Sequence, residues 1–133
     1  IAVRRDTAAC MVLGFHRSQG SGQFIAAAEL GAWWPATGGA GTPTTYVNGV
    51  QLSGGTSTSA GDLHTALTVG DWHILELRGL DLSAWTDLRI GYYGSAYNFS
   101  GAFGGALLFP GGNTAERDKA RAWLANKVGV TLP

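Results

Sequence analysis

Apolar and polar positions alternate along most of this chain, and only near its end does the spacing lengthen to a helical one. Segments 7–16 (TAACMVLGFH) and 22–30 (GQFIAAAEL) read as strands, separated by the turn-forming run RSQGSG. Segment 32–43 holds two prolines and several glycines and predicts no regular element. In 44–55, Asn48-Gly49 suits the positive φ of a type I′ turn, with Tyr46, Val47, Val50 and Leu52 on the arms of a β-hairpin. A polar stretch over 56–71 precedes strands at 71–80 and 86–94. In the second of these, Leu88, Ile90 and Tyr92 fall on one face and Arg89 and Tyr93 on the other. Segment 100–110 predicts another strand, with Phe103, Leu107 and Phe109 on one face and Gly104-Gly105 marking a bulge or a close neighbour.

The period then changes. Asn113 suits an N-cap, with Glu116 three residues on to form a capping box, and Gly129 suits the left-handed position that ends a helix. Ala120, Trp123, Leu124 and Val128 make an apolar stripe, so the spacing predicts a helix over about 114–128 that lays Trp123 against the β-structure. Strands within 7–110 and one terminal helix predict an all-β domain, an antiparallel β-sandwich of jelly-roll type with one C-terminal α-helix.

Composition sharpens this picture. The 133 residues suit one domain, residues 1–133, and 45% hydrophobic content argues against disorder. Charged residues are only 14%, and 21 glycines point to a turn-rich, closely packed protein. Nine basic residues balance nine acidic ones, so no net field draws nucleic acid, and no stretch approaches the roughly 20 apolar residues of a membrane span. Low net charge permits association. Cys10 stands alone and reads as a small apolar residue, which excludes an internal disulfide. The start lacks an initiator Met and a signal-peptide core, and it reads as the interior of a longer product of which this is the C-terminal part.

The order YVNGVQL, VGDWHILEL, LRIGYYG and FSGAFGGALLFPGGNTAERDKARAWLANKVGVTLP, covering about 44–133, resembles the concanavalin A-like, laminin-G-type jelly roll. The likeness is to versions found in phage tail fibres, tail spikes and bacterial surface proteins. Two departures stand out: Gly104-Gly105-Ala106 replaces an acidic position, and residues 1–43 offer less strand than such domains carry. A truncated sandwich, or one completed by a neighbouring chain, stays open. The resemblance implies attachment to glycans or proteins, an extracellular or virion setting and a homo-oligomer, with a trimer favoured.

Catalysis finds little support in the pattern. Glu76 and Asp81 do not alternate on one strand face, as a glycosidase carboxylate pair would. His64 and His73 match no metal-ligand spacing. Calcium is the one cofactor the family loosely suggests, with Asp62, Asp71, Asp81 and Asp87 as donors, but none forms a calcium loop and no cofactor is expected. Trp72, Trp85 and Trp123 read as core. The outward candidates are Trp33 and Trp34 before Pro35, with Tyr93, Tyr97, Asn98 and Phe99 around GSAYNFSG. Flat rings in loops suit a pyranose face, a subunit interface or plain packing alike. The expectation is a non-enzymatic module that binds a cell-surface glycan, with a structural adaptor and a fragment of a carbohydrate-active enzyme as alternatives.

Overall fold

A computed structural model describes residues 1–7, 10–16, 23–27, 41–52, 63, 65–80, 87–90, 92–93, 97–111 and 113–133. Among the described residues, ten strands precede the C-terminal helix: β1 (Ala2–Arg5), β2 (Cys10–His16), β3 (Gln23–Ala27), β4 (Gly41–Val47), β5 (Val50–Gln51), β6 (Trp72–Leu80), β7 (Asp87–Ile90), β8 (Tyr92–Tyr93), β9 (Tyr97–Asn98), β10 (Gly101–Gly105) and α1 (Thr114–Val128). The main sheet has five antiparallel strands in the order β10-β1-β6-β4-β5. A three-stranded sheet, β3-β2-β7, and the hairpin β8-β9 complete the β-structure.

The strand expected least lies near the middle. Residues 1–6 carried no strand in the sequence reading, yet β1 pairs with β6 on one side and β10 on the other. Ile1 and Leu75 exchange backbone hydrogen bonds of 2.8 Å, which extends that ladder. Ala2 and Val3 are fully buried because the sheet is covered on both faces, so each of these adjacent residues meets a different apolar layer. A two-sided strand of four residues, ending in two arginines, has no alternation to reveal it.

On one face Ala2 and Ile74 pack against Leu124 and Ala125 of α1. On the other, Val3, Val47 and Leu75 pack with Leu63 and Leu67. Leu67 N–H donates to the Leu63 carbonyl at 2.9 Å, closing a single helical turn. Asn48 and Gly49 both have positive φ, 51° and 85°, so the tight turn between β4 and β5 is the one expected.

The helix matches its predicted span and ends. Asn113 Oδ1 accepts from Glu116 N–H at 3.3 Å. At the other end Gly129 takes the left-handed conformation, and Val130 N–H donates back to the Ala125 carbonyl at 2.9 Å. The inward stripe is different from the prediction. Leu124 and Ala125 are buried, while Trp123 is 56% exposed with the Lys127 ammonium 5.2 Å from its ring centre. The reason is the close approach of α1 to β10. A methyl group at Gly104 would overlap Val128, and one at Gly105 would lie 3.1 Å from Leu124. A helix this near the sheet leaves no depth for an indole.

Segment 100–110 also differs from its prediction. Only Gly101–Gly105 is strand; residues 106–109 leave the sheet, so Leu107 and Phe109 do not share a strand face with Phe103, and Phe103, Leu107, Leu108 and Phe109 are all exposed. Likewise the strand expected at 86–94 is two, β7 pairing with β2 and β8 with β9.

Candidate functional site

The rings singled out in the sequence divide among three situations. In the β8-β9 hairpin, which lies against β2, Tyr93 is directly opposite Tyr97 and Tyr92 opposite Asn98. Opposite positions in an antiparallel ladder share a face, so the backbone brings two of the expected site positions side by side. Asn98 takes the neighbouring position on the other face. Phe99 goes elsewhere, and the expectation of an outward ring there is corrected. It packs on the core around Val3 and Leu75, and its ring centre is 4.4 Å from that of Phe103. The chain leaves the hairpin at Ser100, whose carbonyl accepts from Asp6 N–H, and this draws Phe99 in over β1. Trp33 and Trp34 lie outside the described residues, as do His64, Asp62, Asp81 and Trp85.

Glu76 sits on the helix side of β6, in register with Tyr46 of β4. Its carboxylate is only 10% exposed and answers two arginines. Arg78 reaches Oε2 at 3.1 Å and Arg121 of α1 reaches Oε1 at 3.4 Å. Arg78 also lies flat on Tyr46, 3.5 Å from its ring centre, and the Tyr46 hydroxyl donates to Gln51 Oε1 at 3.1 Å. Asp118 takes the other arm of Arg121 at 3.5 Å. A carboxylate held between two guanidiniums is committed to charge-assisted hydrogen bonds, so Glu76 ties α1 to the sheet.

His73, buried on the opposite face, joins three segments. Ile74 N–H donates to Asn48 Oδ1 at 2.8 Å, which fixes the Asn48 amide with its nitrogen toward His73. Asn48 Nδ2 then donates to His73 Nδ1 at 3.3 Å, leaving the ring proton on Nε2. That proton goes to Thr68 Oγ1 at 3.1 Å, and the Thr68 hydroxyl donates to Asp71 Oδ2 at 2.8 Å. Burial, first of all, lowers the His73 pKa below its usual 6.5. The direction of the chain matters chemically. His73 gives a proton toward Thr68 instead of accepting one, so it does not activate that hydroxyl as a nucleophile.

Neither network stands out in the residue pattern as a whole. Glu76 and Arg78, two apart on one strand, share a face, and that signal was legible; their meeting with Arg121 depends on how α1 docks. Asn48 was noted only as a turn former, though its side chain does as much as its backbone. Among the described residues no group of three His, Cys, Asp or Glu gathers as metal ligands do, and Asp71 is occupied by Thr68. Also among the described residues, no helix is long and apolar enough to cross a membrane. No family model matches the chain, and neither does any curated protein or solved structure.

Proposed function

We propose that this chain is a non-catalytic recognition module that holds a cell-surface saccharide against aromatic rings, with Tyr93 and Tyr97 at its centre. The observation that carries this reading is their direct pairing across the two-residue strands of β8 and β9. Tyrosines at two paired positions on one face of a hairpin would offer a flat apolar platform to a pyranose ring. Among the described residues, Glu76 and His73 are engaged in holding elements together, which supports binding over bond cleavage.

The setting, a repeated appendage such as a tail fibre or spike on a phage-like particle, comes from the resemblance alone, as does the second leaf that would make β3-β2-β7 part of a jelly-roll sandwich. Repetition suits weak sites, since several copies on one fibre raise avidity without a new contact.

Glycan-array binding of the purified chain tests the reading. Tyr93→Ala and Tyr97→Ala should each weaken binding about tenfold, near 1.4 kcal/mol, with the melting temperature held. No binding to any saccharide, or binding untouched by these changes and by Trp33→Ala and Trp34→Ala, would defeat it.

A second reading, an adaptor that assembles with copies of itself, has its own support. Leu107, Leu108 and Phe109 form an exposed apolar run as the chain leaves β10, beside the helix that exposes Trp123. Sedimentation distinguishes the two: Leu108→Lys would dissolve an assembly built on this run and leave saccharide binding by the single chain intact.

A further inference from the structure

The His73 network joins three parts of the chain: the β4–β5 turn, the turn before β6, and β6 itself. Asn48 sits between β4 and β5, Thr68 and Asp71 lie in the turn before β6, and His73 stands at the start of β6, opposite Val3 of β1. Each atom in it has one compatible role. Asn48 Oδ1 is taken by Ile74 N–H, so the Asn48 amide can present only donors to the ring. His73 Nδ1 therefore has to be an acceptor, which a protonated imidazole lacks.

We propose that His73 is an acid-sensitive latch, which on taking a proton at Nδ1 releases Asn48 and unpins the β4–β5 turn from β6. Two donors then face each other in a partly buried site. Turning the Asn48 amide over relieves the clash only by leaving Ile74 N–H without its acceptor. Either way one partly buried hydrogen bond is lost, and it is lost at the turn.

The charged groups around the ring, among the described residues, pull in opposite directions. Asp71, through Thr68, favours the imidazolium. Arg5 of β1, buried and on the same face of the sheet as Val3 and His73, opposes it. Burial of the ring opposes it more strongly and sets the direction given above. The neutral, latched form therefore holds above about pH 6.5 and gives way as pH falls through the lower value of the folded protein. This inference is independent of the saccharide reading, since it concerns residues on the other sheet and needs no ligand.

Amide hydrogen exchange across pH 8 to 4.5, corrected for the intrinsic pH dependence of exchange, tests it alongside NMR titration of the His73 ring. The Asn48 and Ile74 amides, which donate to the Ile74 carbonyl and to Asn48 Oδ1, should lose about tenfold in protection in step with the ring. The Leu75 amide, bonded to the Ile1 carbonyl, should keep its protection. Asp71→Asn should move the step to lower pH, and His73→Gln should abolish it. If the ring titrates while both turn amides stay protected, or if His73→Gln keeps the step, the latch is disproved. Should His73→Gln fail to fold, the wild-type titration and Asp71→Asn decide the matter.

Discussion

On the helix-covered face of the main sheet the charged groups stand at the rim and answer one another: Glu76 with Arg78 and Arg121, and Arg121 with Asp118. On the opposite face the polar groups lie inside. His73 is buried with its hydrogen bonds made, and Thr45 is fully buried with its hydroxyl unpartnered among the described residues. The first face is held by a close backbone approach at Gly104 and Gly105 and then fastened by ions. The second is held by aliphatic packing around Leu63, Leu67 and Leu75, with a hydrogen-bonded His73 and an unpartnered Thr45 hydroxyl set within it. The contrast teaches that charge in this protein positions the helix, while neutral hydrogen bonding positions the turns.

The largest change should come from filling the gap that lets α1 approach. Gly104→Val forces a side chain into Val128, Ala2 and the Trp72 ring, and should cost about 3 kcal/mol in denaturant unfolding, since overpacking here can be relieved only by moving the helix. Glu76→Gln comes next. It leaves two half-buried guanidiniums without their shared anion and should cost about 2–3 kcal/mol, toward the low side for a broken buried pair because both arginines reach solvent. If Glu76→Gln instead costs as little as a surface pair, the ionic fastening of that face is wrong.

On the opposite face the expected sign reverses. Thr45→Val keeps the branched shape and removes an unsatisfied hydroxyl, so it should stabilise by about 1 kcal/mol. A loss of stability would mean that the Thr45 hydroxyl is bonded after all. Smallest of all, Trp123→Ser should shift stability by less than about 0.5 kcal/mol, because the ring is exposed and its Lys127 contact is at the surface.

What could be seen in the sequence was whatever is decided within a few residues. The Asn48-Gly49 turn and both ends of α1 depend on local dihedrals and caps, and the structure places them where the pattern did. The strand β6 was equally plain, since Trp72, Ile74, Leu75, Leu77 and Leu80 make a short apolar run bounded by turn residues. Missing were features set by tertiary approach. β1 hides because its two faces are both covered, and Trp123 faces out because Gly104 and Gly105 bring the helix too near. Phe99 was assigned to the loop by its neighbours, yet it packs inward because Ser100 is tied to β1. Of the expected site, the Tyr93–Tyr97 pairing is set by the register of β8 on β9, which a single strand over 86–94 does not anticipate, and Trp33 and Trp34 lie outside the described residues.

The most direct test of the central claim is a titration of isotope-labelled protein with the saccharide that the array selects, followed amide by amide. The account predicts that the shifts concentrate on residues 92–98, that the Glu76–Arg78–Arg121 cluster and His73 stay unmoved, and that the saccharide is recovered intact. Shifts centred on Glu76 or His73, or a shortened saccharide, would contradict it.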